Sequence, residues 1–302
     1  LQHPIRCRYC QFMEDFRHNT FFTLEQAREA AARKHFECRQ ALSRIRSRSD
    51  ATPYISHGTA LELLGLTATL NYSPNYDSDL IHVSVQDRKD LRRIRGMKFH
   101  YARHVIETVH ADELVSSVHA AQALCQIAPY TDIDSLVIAM DWLTCANSEL
   151  RICSHDELAD YIRNMPRFIG NVNCRKALAL SKEGTDSPQE TVIRLGANTY
   201  GLPDAQVNYE IFDYIRGSGT LKVDIAYPED HVCIEYDGIY HYTHDRWMYD
   251  LDKRNRLRDL GYTTFVATRE HLASEQKLNE LYGMVARAIA EYRLNHGTVS
   301  VP

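Results

Sequence analysis

Strict alternation of apolar and polar residues marks the stretch LKVDIAYPEDHVCIEYDG, residues 221 to 238. Val223, Ile225 and Tyr227 alternate with Asp224 and Ala226, and Val232, Ile234 and Tyr236 alternate with Cys233, Glu235 and Asp237. Successive side chains of a strand point to opposite faces, so this pattern predicts two strands with their larger apolar residues on one side. The same grammar surrounds it. Ser187-Pro188-Gln189-Glu190 opens a helix to about Asn198, and Gln206–Tyr214 reads as a further strand. A helix from about Asp245 to Leu260 stops at Gly261, followed by a strand over Tyr262–Thr268 and a helix over Glu270–Asn295. The predicted order from Thr185 onward is helix, three strands, helix, strand, helix.

Upstream the pattern differs. Thr23 to about Arg48 has helical spacing, with Thr23 as cap and Glu25 and Glu29 in the early turns. Ser49-Asp50-Ala51-Thr52-Pro53 breaks it. Ile55–Leu66 reads as a short helix ended by Gly65, and Ile81–Val85 and Lys98–Tyr101 alternate as short strands do. A small unit of short helices and strands with arginines between is compatible with a winged helix. From Val115 to Leu180 helical spacing dominates, in Ala120–Ala128, Ile133–Ala146 and His155–Asn164. The expected division is 1–110, a winged-helix-like DNA-binding region; 111–184, a helical bridging region; and 185–302, a domain with its own chemistry.

Composition changes this picture little. The 302 residues are 44% hydrophobic and 25% charged, as in an ordinary soluble protein. No apolar run approaches the roughly 20 residues that span a bilayer, so no membrane association is expected. No signal peptide is visible, and the expected location is cytoplasmic. Of eight cysteines only Cys7 and Cys10 have C-x-x-C spacing, with no second pair to complete a zinc site; reduced thiols are expected. Net charge is -5, yet residues 1–100 carry 16 Lys and Arg against 11 Asp and Glu, leaving 19 against 29 in the rest. The basic stretches are Arg33–Arg48 and Arg88–Lys98, which are either solvated surface or a phosphate-attracting stripe through Arg92, Arg93 and Arg95.

The alternating stretch holds the candidate chemistry. With Glu229-Asp230 as a two-residue turn, Tyr227 pairs with Val232, Ile225 with Ile234, and Asp224 falls opposite Glu235. Opposed acids on a sheet repel by roughly 0.2–1 kcal/mol, and burial pushes one pKa up. Either salt bridges to Lys222 or Arg254 satisfy them, or a hard divalent cation such as Mg²⁺ lies between, with the Tyr236 carbonyl as a further ligand. Glu190 is either the third residue of a capping box begun by Ser187 or a third carboxylate delivered to that site. His241 is the candidate general acid/base by residue type, or simply exposed. Lys253 and Arg254 bind phosphate, or pair with Asp250 or Asp252.

Taken in order, Ser187-Pro188-x-Glu190-Thr191, Leu202-Pro203, Gln206-Val207, Val223-Asp224-x-Ala226-Tyr227-Pro228-Glu229, Glu235-Tyr236-Asp237-Gly238, His241, Asp250, Lys253, Leu257 and Gly261-Tyr262 make a pattern. It resembles the very-short-patch-repair-like endonuclease domain, a branch of the PD-(D/E)XK nuclease superfamily, over about 110 residues. The resemblance implies an α/β (α+β) restriction-endonuclease-like domain with an αβββαβ core. It implies Glu190, Asp224 and Glu235 as metal-site residues, with Asp237 and His241 close to them. The superfamily lysine expected two residues after Glu235 is replaced by Asp237; His241, Lys222 or a second metal would stand in for it. Ser56-His57-Gly58-Thr59-Ala60, Leu64-Gly65-Leu66 and Val118-His119-Ala120-Ala121-Gln122 are similar to segments of AbiEi-antitoxin-like winged-helix regions.

These readings lead to a metal-dependent DNA endonuclease acting in repair or defence. Mg²⁺ or Mn²⁺ is the expected cofactor and DNA the expected partner, with a homodimer as an option. The rivals are a non-catalytic, antitoxin-like DNA-binding regulator on a degenerate nuclease fold, and a scaffold whose acidic face meets a basic protein.

Overall fold

The structure, a computed structural model, describes residues 24–46, 53–66, 70–217, 219–238 and 244–297. Cys7, Cys10, Thr23, the 49–52 break and His241 lie outside these residues. The chain divides into two compact units, and the division falls between Glu183 and Gly184. Both mix helices with a mixed sheet, giving an α+β protein. Among the described residues no helix is long and apolar enough to cross a membrane. Cys38, Cys125, Cys145, Cys153, Cys174 and Cys233 are all free thiols.

The first unit begins with α1 (Leu24–Arg46), β1 (Tyr54–Ile55), α2 (His57–Leu63), β2 (Ile81–Val85) and β3 (Met97–Tyr101). It continues with β4 (Thr108–His110), β5 (Ser116–Val118), α3 (Ala120–Ile127), α4 (Ile133–Leu143), α5 (His155–Asn164) and α6 (Asn171–Leu180). Five strands form one sheet in the order β3-β2-β1-β5-β4. Helices make up most of its regular structure, as expected, with the sheet between them. One expectation is corrected: the division at 110/111 does not exist, because β4 and β5 form an antiparallel hairpin across it. β5 also pairs in parallel with β1, which ties both sides of position 110 into one sheet. Two- and three-residue strands carry too few residues to display a period, so alternation could not reveal them.

Helix α4 is the core of this unit. Its sequence, IDSLVIAMDWL, is apolar nearly all round, and Ser135 to Leu143 are all buried, as a helix surrounded by partners requires. Asp132 caps it by accepting the Ser135 amide, 2.8 Å. The buried Asp141 carboxylate accepts the Lys182 amide, 2.8 Å, beyond the end of α6. Gly65 ends α2 in a left-handed turn, φ +80°, and an added Cβ there would lie 2.8 Å from the Ala27 carbonyl oxygen of α1.

The second unit runs α7 (Pro188–Tyr200), β6 (Gln206–Phe212), β7 (Thr220–Tyr227), β8 (Val232–Asp237), α8 (His244–Asp259), β9 (Thr263–Thr268), α9 (Arg269–Leu272) and α10 (Glu275–His296). The predicted order holds, except that the last helix is interrupted at Ala273 and Ser274, where Ser274 caps α10 by accepting the Lys277 amide. The sheet order is β6-β7-β8-β9, antiparallel except for the parallel pair β8/β9. The expected register is the observed one, Tyr227 with Val232 and Ile225 with Ile234. The turn differs. Pro228–Asp230 is a 3₁₀ turn and His231 is left-handed, φ +51°, so four residues rather than two connect the strands. Asp230 is buried there and takes a bidentate ion pair from Arg293 of α10, 2.6 and 2.8 Å. Glu-Asp is not a preferred two-residue turn pair, and Asp230 serves here as the buried partner of Arg293 instead.

Both faces of this sheet are covered. Leu257 and Leu260 of α8 join Val223, Ala226 and Cys233 in one apolar cluster. The face carrying Asp224 and Glu235 is therefore not a solvated one.

Candidate functional site

Glu190, Asp224 and Glu235 come from α7, β7 and β8. Ser187 caps α7 by accepting the Glu190 amide, 3.3 Å. Its hydroxyl in turn donates to Glu190 Oε1, 2.8 Å, while the Asp186 amide donates to Oε2, 2.9 Å. The carboxylate thus takes the Ser187 hydroxyl and the Asp186 amide, not the Ser187 amide of a capping box, and lies close enough to Asp224 to feel its charge. It is 5% exposed. Burial, then the Asp224 charge, pushes its pKa up to about 8 against the pull of its two donors.

Asp224 stands where the β7/β8 ladder ends. The last backbone partners are Ile225 and Ile234, and beyond them the Asp224 carboxylate accepts the Tyr236 amide, 2.7 Å. A side chain takes the place of a strand carbonyl, and the hairpin forks at the acids. The Tyr236 amide therefore lies at the site as a donor, and the expected role of the Tyr236 carbonyl as a ligand has no counterpart among these contacts. Burial raises the Asp224 pKa to about 6, the Tyr236 amide opposes this, and the Glu235 charge adds to it.

Glu235, 8% exposed, makes an ion pair with Lys253. Lys253, Leu257 and Leu260 follow at helical spacing on the inward stripe of α8, so the lysine is carried over the sheet by the helix face that packs the core. Its expected partners, Asp250 and Asp252, do not take it; Asp252 is paired with Arg216, 3.0 Å. Lys222 is paired with Asp186, 3.0 Å, rather than with Asp224 or Glu235. Asp237 lies at the end of β8, 3.9 Å from Arg254. The neighbours Lys253 and Arg254 thus reach different acids. The cation expected two residues after Glu235 is absent, and one from α8 stands against Glu235 instead. Its signal was in the sequence: position 253 falls one turn before Leu257 on the same stripe.

No protein-family model, characterised protein or solved structure matches this chain.

The donor set is chemically suited to a hard cation: three carboxylates, of which Glu190 and Asp224 are pushed up by burial and by neighbouring negative charge. The three are not a preassembled cage. Among the described residues, one set of three His, Cys, Asp or Glu has all its ligand atoms within 4.8 Å, and it is His57, His82 and His100 in the first unit. A divalent ion at the acids would be held by Asp224 with one further carboxylate and by water, as Mg²⁺ commonly is. Arg92, Arg93 and Arg95 are exposed on the turn before β3, beside a groove of about 620 Å³. Arg92 also donates to the Leu91 carbonyl, 3.1 Å.

Ionisation of the acids has a measurable consequence. Folded Glu190 and Asp224 hold protons that the unfolded chain has released, so metal-free stability falls as pH rises from about 5 to about 8. The expected loss is on the order of 2 kcal/mol. Millimolar Mg²⁺ should restore it, most at the alkaline end. Thermal melts across this range, with and without Mg²⁺, check it; a metal effect independent of pH would dissociate the ion from these acids.

Proposed function

We propose that the second unit is a metal-dependent DNA endonuclease with an active site at Glu190, Asp224 and Glu235. The observation that carries this reading is the forked hairpin. It brings Asp224 into electrostatic contact with both Glu190 and Glu235, beside a lysine, in a largely buried setting. A fold gains nothing in stability from such an arrangement, and strongly shifted carboxylates of this kind concentrate at functional sites. The element order and the β6-β7-β8-β9 sheet support the restriction-endonuclease-like reading.

Bound Mg²⁺ or Mn²⁺ would polarise a phosphate oxygen and lower the pKa of its water. Asp224 is the common ligand in this reading, being the neighbour of both other acids. Glu190 holds a proton near neutral pH and can exchange it with water at the site. Lys253 keeps Glu235 paired and supplies the positive charge that the superfamily places on β8. His241 remains a candidate for proton transfer by residue type.

Plasmid nicking with and without Mg²⁺ or Mn²⁺ tests the activity. Firm duplex binding with no nicking in any metal would assign the regulator instead. DNA affinity is assigned to the basic turn of the first unit. Arg92→Ala with Arg93→Ala should weaken duplex binding and reduce the slope of log K against log salt by about 2. An unchanged slope would remove that turn from the interface.

A further inference from the structure

We propose that His57, His82 and His100 form a binding site for a zinc-class divalent cation, with a coordination position open to an adjoining cavity. The three ring donors lie within 4.8 Å of one another. Pairing of β2 with β3 in parallel sets His82 opposite Lys98 and Ser84 opposite His100, so both histidines share a sheet face. His82 Nδ1 and His100 Nε2 are 2.8 Å apart. Tetrahedral zinc with Zn–N of about 2.0–2.1 Å spaces its nitrogens roughly 3.3 Å apart, so these two need open by only about half an ångström.

On two of the three rings the nitrogen facing away is held by a group suited to a ligand histidine. His82 Nε2 meets the Asp77 carbonyl, 2.9 Å, which accepts its proton and leaves Nδ1 bare. His57 Nδ1 meets the Ser56 hydroxyl, 2.9 Å, leaving Nε2 as its free nitrogen. Outer hydrogen bonds of this kind fix the tautomer and orientation of metal-binding imidazoles. Lys98, beside His82 on this face, is paired with the Asp77 carboxylate, 3.2 Å.

The Ser56–Thr59 segment is arranged around this cluster. His57 has a left-handed backbone, φ +56°, with its amide donating to Gln126 Oε1, 3.0 Å. A non-glycine residue held in that region is strained, and such strain collects at functional positions. Ser56 occupies the N-cap of α2 yet makes no side-chain cap, and its hydroxyl goes to His57 instead. Thr59 accepts the His82 amide, 3.0 Å, and Tyr76, stacked on the His82 ring, accepts the Gly58 amide, 2.9 Å. Gly58 is required there, because a Cβ would fall 2.5 Å from the Tyr72 hydroxyl.

His57 and His100 line a cavity of about 720 Å³, as does Ser84, whose buried hydroxyl has no hydrogen-bond partner. Three histidines with an open position facing a cavity are the ligand set of reactive zinc rather than of closed structural zinc. Neutral imidazoles select zinc-class ions over Mg²⁺, which separates this site from the carboxylates of the second unit.

The test is calorimetric titration of the chelator-stripped full chain with Zn²⁺ and with Co²⁺. Wild type and Asp224→Asn should each bind one equivalent in this site with equal affinity, and His100→Gln should bind at least about 100-fold more weakly. Ser56→Ala, which removes no cap, should lose about 10-fold. Loss of binding in Asp224→Asn, full binding in His100→Gln, or no binding by wild type would each overturn the proposal. Should His100→Gln not fold, proton NMR of the wild-type Co²⁺ complex decides. Three strongly shifted exchangeable imidazole N–H signals support the site, and fewer overturn it.

Discussion

Asp224→Asn should reduce metal-dependent nicking by roughly 10³-fold or more while making the metal-free fold more stable at pH 8. Both effects have one origin. Asp224 carries the charge that raises Glu190 and is itself raised by Glu235, so it is the electrostatic centre of the three acids. An asparagine keeps an oxygen to accept the Tyr236 amide, so the fork of the hairpin survives. What disappears is the negative charge that a divalent cation requires and that the apo fold tolerates poorly. DNA affinity without metal should be unchanged or higher, since one repulsive charge is removed. The measurements are plasmid nicking, duplex binding in chelator and thermal melting, made on the same preparation. Undiminished nicking would move the active site elsewhere; lost nicking with lost stability would mean that Asp224 serves the fold.

Lys253→Met is the second large effect. Removing one member of a buried ion pair leaves the other charge uncompensated, at a cost of about 3 kcal/mol. Lys253 and Glu235 side chains are only 16% and 11% exposed, so solvent screening relieves little of it. Nicking should fall about 100-fold, because Glu235 then adds its full charge to the site. The salt slope of DNA binding should stay as it is. That last readout discriminates: a slope lowered by about 1 with stability intact would return Lys253 to the DNA-backbone role that its residue type first suggests.

The second unit was largely legible in the sequence because its elements are long enough to show a period. Alternation through residues 221–238 gave the strands and even their register, since sliding one strand by a single residue would bury the wrong set. The turn was misread because the demand on Asp230 comes from Arg293, some sixty residues away. The partner of Lys253 was legible in principle from its stripe with Leu257 and Leu260, but adjacency to Arg254 drew attention to charge rather than to face. The first unit was far less legible. β1 has two residues and β4 and β5 three each, too short for any pattern, and the parallel pairings β1/β5 and β2/β3 join positions that no local signal connects. His57, His82 and His100 come together through the β1/β2 and β2/β3 pairings and one left-handed residue.

The forked hairpin leaves the end of β8 with a backbone ladder on one side and only the Asp224 carboxylate on the other. The β7/β8 ladder stops at Ile225 and Ile234, whereas β8 and β9 stay in register through Glu235 with Val266, Tyr236 with Ala267 and Asp237 with Thr268. The positions of Glu235 and Asp237 are thus inherited from a strand that contributes no acid of its own. Directed variation at Val266 or Thr268 would shift those carboxylates by fractions of an ångström while leaving every ionisable group in place, which makes β9 the tuning screw of the second unit.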